Sequence, residues 1–304
     1  MARLRNTTFI ACILSLAFCA CANREAEDLV ARLKTRDAAE LREITGKIVR
    51  LPNAIAVPAL RQGLHSEKWR TRYMSAQLLG RFKAYEAAEE LIGALSDSIG
   101  GVQAQAAEAL GQLQAQEAVP HLLDLLDKTH EVVQIATANS LGQLGSTRAL
   151  PSLCRLARAR PLKLRAAAIR ALGPCIDDSV DTLHSEQARQ LIWAALDDVF
   201  ADIRIAGIVA LRGTAYQGAA GRLLQLLTDR SAAVQHVAVQ ALGEITDVQH
   251  RAWQGDTDPD MARIVSALDS VVSHTGNASI AERAKESLGR ISEAARMGTP
   301  SPSR

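Results

Sequence analysis

The sequence predicts an all-α fold, a right-handed alpha-solenoid of antiparallel helix pairs, and three observations carry that expectation. A Leu-Gly phrase returns every 31 residues, a small residue returns in fixed phase with it, and no two alternating apolar runs are joined by a hairpin turn. The phrases are Leu79-Gly80, Leu110-Gly111, Leu141-Gly142 and Leu172-Gly173, and Leu242-Gly243 lies 31 residues beyond Leu211-Arg212. The small residues are Ser75, Ala106, Thr137, Ala168, Gly207 and Ala238. A helix pair too small to bury its own apolar stripe must stack on its copies, and a chain of such copies is a solenoid.

In chain order, residues 1–20 stand apart. Arg3 and Arg5 precede an apolar run from Phe9 to Ala20, broken only by Ser15. The run is too short for an ordinary spanning helix and has the layout of an export signal. It ends in F-C-A-C-A-N and resembles a bacterial lipoprotein signal in which Cys21 takes the lipid, since Ala20 is the small residue required before the cysteine. Phe18 departs from the usual leucine three positions upstream, and its bulk directly before Cys19 makes that cysteine the poorer acceptor. Cleavage after Ala22 and an uncleaved anchor are the alternatives. The resemblance implies an outer-membrane lipoprotein facing the periplasm, because no aspartate follows Cys21; ordinary cleavage would give a soluble periplasmic or secreted protein. Residues 21–25 are expected to be a tether.

The solenoid is expected over 26–297. The motif A-V-P at 56–58 and 118–120, with A-L-P at 149–151, stands in phase with the glycines, and each proline is expected at the first position of a helix, where its missing N–H costs nothing. Leucines four apart (Leu60 and Leu64, Leu91 and Leu95, Leu122 and Leu126) make the buried ridge of each first helix. Polar residues around Asp127–His130 break it. A second helix then runs through Val133, Ala136 and Leu141 to Gly142, where glycine is expected to end it in the left-handed conformation. Two intervals are longer than 31, placing insertions near 175–182 and 248–259, either recognition loops or surface variation. Residues 298–304 read as a tail.

Within the second helices, Val102-Gln103, Val133-Gln134, Leu164-Arg165, Ile203-Arg204 and Val234-Gln235 occupy one register. With the proline motif and the A-L-G ending, they resemble the HEAT family, especially the short HEAT-like repeats of phycobilisome lyases, over about residues 55–245. The resemblance implies that second helices line a concave face. Counting back from the glycines, that face carries Tyr73, Gln77, Glu108, Asn139, Arg170, Ile205, Val209, His236 and Gln240, a mixed polar and aliphatic set suited to a protein or peptide partner. Gln103, Gln134 and Arg165 are expected to reach solvent or a partner.

Composition excludes several classes. Lys+Arg number 35 against 33 Asp+Glu, and removal of Arg3 and Arg5 brings the balance to zero, so nucleic acid is not an expected ligand. The Arg155–Arg170 stretch, which contains no acid, is read as a solvated surface or a site for an anionic partner. Asp256, Asp258 and Asp260 alternate as in a calcium loop, but Met261 and Ala267 stand where the EF-hand needs glycine and glutamate; helix capping by Asp258 ahead of Pro259 explains them as well. No His-x-His or His-x-x-x-His pair occurs, and the lone His130-Glu131 pair cannot furnish the di-iron centre of HEAT-built hydroxylases. Cys154 and Cys175 fall in core phase, as packed thiols or as a disulfide permitted by export. No cofactor is expected. The functional expectation is a noncatalytic protein-binding or assembly scaffold of the cell envelope. The alternatives are a peripheral subunit of an envelope enzyme and, from the resemblance, a bilin lyase-like protein.

Overall fold

A computed structural model describes residues 21–298 except 129, 178, 180–182, 213–217 and 253–258. Residues 1–20, where an export signal is expected, Asp256 and Asp258, half of each insertion and residues 299–304 lie outside the described residues. Regular structure among the described residues is entirely helical. The chain is an α-solenoid of antiparallel helix pairs that divides into two compact units, Met1–Leu144 and Gly145–Arg304.

The first unit comprises α1 (21–32), α2 (Ala38–Arg50), α3 (Asn53–Gly63), α4 (Trp69–Phe82), α5 (Ala88–Ala94), α6 (Gly100–Gln112), α7 (Val119–Lys128) and α8 (Glu131–Leu144). Residues 21–25, expected as a tether, are instead the opening turns of α1, whose Ala26, Leu29, Val30 and Leu33 side of the chain is buried. Asp37 caps α2 by accepting from the amides of Ala39 and Glu40. The ridge leucines Leu60, Leu91, Leu122 and Leu126 are fully buried, as their spacing of four requires.

The second unit comprises α9 (Leu150–Leu156), α10 (Leu162–Cys175), α11 (Leu183–Ala195), α12 (Ala201–Leu211), α13 (Ala219–Leu226), α14 (Ala232–Ala252), α15 (Pro259–His274) and α16 (Ala278–Gly298). Its second helices α10, α12, α14 and α16 pack successively side by side. Part of the 248–259 insertion is not a loop: residues 248–252 prolong α14 to 21 residues, and Pro259 opens α15. Of the 175–182 segment, Cys175 closes α10 and Ser179 donates to Asp177 Oδ1 from both its amide (2.9 Å) and its hydroxyl (2.6 Å).

The proline expectation holds only in part. Pro120 and Pro151 are the second residues of α7 and α9, but Pro58 is the sixth of α3, which starts early, directly after Pro52. The glycine expectation is corrected. Gly80 and Gly111 lie inside α4 and α6; the left-handed conformation is taken three residues after each of them, by Lys83 (φ 51°) and Gln114 (φ 55°), beyond the helix ends at Phe82 and Gln112. The Ala84 amide returns to Leu79 O and that of Ala115 to Leu110 O, both at 3.1 Å, closing the helix ends in the pattern glycine was expected to supply.

What the repeated glycine does is admit the next second helix. A Cβ on Gly111 would stand 3.0 Å from Ser140 Cα, one on Gly80 3.0 Å from Ala109 Cα, and, in the second unit, one on Gly173 2.0 Å from Ala210 O. The close approach lets Ser140 Oγ donate to Ala107 O at 2.7 Å. The other small column faces the first helix of its own pair: a Cβ on Gly63 would meet Ser75 Oγ at 2.3 Å, and one on Gly207 would meet Ala195 Cβ at 3.1 Å. Glycine and small-residue columns thus serve two different packing directions.

Candidate functional site

The partner-facing columns follow from register, seven and three residues before each glycine. In the first unit Tyr73, Gln77 and Asn139 are half-buried and Glu108 is exposed; Glu108 accepts from Gln105 Nε2 at 3.0 Å. Gln77 and Asn139 make no side-chain hydrogen bond among the described residues.

In the second unit Arg170, Ile205, Val209, His236 and Gln240 are all half-buried. Burial lowers the pKa of the Arg170 guanidinium, against the opposing charge of Asp202. Gln240 is already engaged, donating to Glu244 Oε1 at 3.0 Å, and Glu244 also pairs with Arg212. Gln240 is thereby held in an internal network.

The neighbouring register is corrected. Gln103 and Gln134, expected to reach outward, donate to Asp97 O (2.7 Å) and Leu126 O (3.0 Å), and Arg165 pairs with Asp198 at 3.5 Å. Two arginines of that register build forks with identical connections. Arg72 Nη1 donates to the carbonyls of Ser66 and Glu67 in its own turn, while Nε and Nη2 hold Asp97 of the next turn at 2.6 and 2.9 Å. Arg204 Nη1 donates to Asp198 O and Val199 O, while Nε and Nη2 hold Asp229 at 2.8 and 2.7 Å. Each aspartate also accepts an amide two residues on, from Ile99 or Ser231 at 2.8 Å. Burial works to raise the pKa of Asp97 and Asp229, but the arginine and amide hydrogen bonds outweigh it and hold both below the usual carboxylate value. The sequence signal for these forks is an aspartate 25 residues after each arginine.

Cys154 and Cys175 are both buried, and no disulfide joins them in the structure. Cys154 Sγ donates to His184 O at 3.9 Å, while burial pushes the Cys175 thiol up to about 12 despite a backbone hydrogen bond from Ser146. Within the Arg155–Arg170 stretch, Arg158 Nη1 caps α9 through Cys154 O at 3.1 Å. A cleft of about 590 Å³, absent from the sequence reading, lies against Leu64, His65, Glu90 and Asp97; Glu90 Oε1 there binds Arg61. Among the described residues no cluster of three His, Cys, Asp or Glu side chains has metal-binding placement, and no helix is long and apolar enough to cross a membrane.

Residues 57–137 and 88–173 match the family model of HEAT repeats. Solved structures share the architecture more widely. The phycocyanin lyase complex of CpcE and CpcF from Nostoc sp. PCC7120 contains a chain matched at 22% identity and TM-score 0.54, over 80% of this chain and 95% of that one. YibA of Escherichia coli matches at 18% identity and TM-score 0.51, over 88% and 95%. An archaeal HEAT-like repeat protein of Thermococcus onnurineus NA1 aligns at 17% identity and TM-score 0.45, over 81% and 99%. No curated protein matches the sequence.

Proposed function

We propose that this HEAT-repeat protein is a noncatalytic scaffold of the cell envelope, tethered through a lipid on Cys21 and binding a protein or peptide along its second helices. The observation that carries the reading is the division of labour between adjacent registers. One is consumed by forks and carbonyl caps, whereas the next retains Tyr73, Gln77 and Asn139 in one unit and Arg170, Ile205 and Val209 in the other, half-buried. Interfaces concentrate their energy in aromatic and arginine anchors, so Tyr73 and Arg170 are the expected anchors. A role as the peripheral subunit of an envelope enzyme uses the same face and differs only in the partner's activity.

Quantitative crosslinking in intact envelopes tests the face, comparing the native chain with Arg170→Glu/Val209→Asp and with Tyr73→Ala, each checked for retained helical circular dichroism. Loss of the principal partner supports the reading; unchanged partners in every folded variant reject it. Turnover by the isolated protein would reject the noncatalytic role. Intact mass tests the tether: a diacylglyceryl group on Cys21 supports it, and a soluble chain beginning at Asn23 rejects it.

A further inference from the structure

The turn between α11 and α12 exposes two adjacent large apolar side chains, Val199 (74%) and Phe200 (52%). Such a pair at a tip costs solubility, and the structure holds it there. Arg204 Nη1 takes the carbonyls of Asp198 and Val199 at 2.8 and 3.1 Å, Arg230 Nη2 takes Val199 O at 2.5 Å, and Asp198 Oδ1 accepts the Phe200 amide at 2.9 Å. With its carbonyls drawn inward, the turn projects its side chains outward on a fixed backbone.

Cations surround this tip. The preceding turn carries exposed Arg160 and Lys163 on either side of half-exposed Leu162, and its Arg165 places a guanidinium 5.8 Å from the Phe200 ring centroid. The following turn contributes exposed Arg230. The nearby acids have cationic counterparts: Asp197 binds Arg222, Asp198 binds Arg165, Asp229 binds Arg204, and Asp202 lies in the field of Arg170. Arg160 and Lys163 join no ion pair among the described residues. The first unit also exposes apolar groups near its turns: Trp69, which lies between Lys68 and Arg70 and follows exposed Glu67, Ile99, and Val132 beside exposed Glu131, but none of these turns projects two adjacent large apolar side chains.

We propose that this edge of the second unit is a peripheral membrane-contact site, with Val199 and Phe200 entering the interface of an anionic bilayer while Arg160, Lys163 and Arg230 meet its phosphate headgroups. Convex shape and charge complementarity select a lipid surface: a protein would need a pocket matched to the projecting pair, whereas a bilayer accepts an apolar tip ringed by cations. The site requires neither the Cys21 lipid nor the second-helix face. It would orient the second unit with its α11–α12 turn towards the headgroups.

The test uses the full chain with p-benzoylphenylalanine in place of Phe200, irradiated with phosphatidylcholine vesicles containing or lacking a third phosphatidylglycerol, and in native envelopes. The same photoprobe replacing exposed Thr147, at the far end of α9, controls for proximity caused by any amino-terminal tether. Lipid adducts are expected at position 200 on the mixed vesicles, several-fold above both the neutral vesicles and the Thr147 control. Neutralising Arg160→Gln or Lys163→Gln should lower the yield by up to about fivefold each. Both side chains are exposed and outside the forks, so these variants should fold. An adduct yield at 200 equal to the control overturns the proposal, as does indifference to headgroup charge. Predominant protein adducts in the envelope would make the edge a protein interface instead.

Discussion

Replacing Gly111 by alanine separates close packing from helix capping as the role of the repeated glycine. In a helix interior, alanine is better than glycine by about 0.5–1 kcal/mol. Gly46 of α2 measures that gain alone, because a Cβ there meets nothing within 4 Å. At Gly111 the same atom would lie 3.0 Å from both Ser140 Cα and Ser140 Cβ, so α6 and α8 must separate by several tenths of an ångström. Overpacking of that kind costs about 1–3 kcal/mol, which exceeds the propensity gain. Gly46→Ala should therefore raise stability, and Gly111→Ala should lower it by about 1–2 kcal/mol. Both positions lie in the first unit, so urea unfolding followed by circular dichroism compares them in one transition. Gly111→Asn sharpens the comparison, since asparagine is tolerated at a left-handed cap but adds still more volume at a helix contact. Gly111→Ala as stabilising as Gly46→Ala, or Gly111→Asn milder than Gly111→Ala, would refute the reasoning.

Three other outcomes are expected. Arg204→Met leaves Asp229 with only its amide partner in a nearly buried site and should cost about 3 kcal/mol at pH 7. Because the folded pKa of Asp229 is depressed, the pair's contribution is present above the unfolded carboxylate value and lost as pH falls through the folded one; urea midpoints of native and variant proteins should converge on acidification. Leu141→Ala removes a fully buried side chain from α8 and should cost about 2–4 kcal/mol by urea unfolding. In native alkylation at pH 8, Cys154 and Cys175 should resist modification until denaturant is added, since burial raises both thiol pKa values; rapid labelling of either would contradict the packing.

The helix pairs were legible because burial is periodic: Leu110, Leu141, Leu172, Leu211 and Leu242, one register apart, are all fully buried. The direction of each contact was less legible. A glycine near a helix end has two uses, capping and close approach, and only the position of Ser140 or Ala109 opposite it decides between them. Gln103 and Arg165 read as outward-facing because a polar side chain's destination depends on how a turn folds beside it: Gln103 returns to Asp97 O in the turn before its own helix, and Arg165 reaches Asp198 of the next turn. For the candidate site, spacing assigns Tyr73, Gln77, Arg170 and Val209 to their registers, but a count of register alone does not say which side chains are already engaged, as Gln240 is by Glu244 four residues on. The exposure of Val199 and Phe200 was equally hidden, since apolar residues beside a helix start ordinarily join the core.

The forks also determine where the chain can change length. Between the two helices of a pair, the connections at 64–68, 95–99, 157–161, 196–200 and 227–231 are five residues long, whereas 129–130 has two and 275–277 three. Arg72 and Arg204 bind carbonyls in one such turn and an aspartate in the next, so an added residue would break two sets of hydrogen bonds at once. In the second unit the connections between pairs are longer: 176–182 has seven residues, 212–218 has seven and 253–258 has six. A change of length is therefore costliest at the turns the forks hold, 64–68 and 95–99 or 196–200 and 227–231, and an epitope tag or a grafted loop should be accepted more readily between pairs.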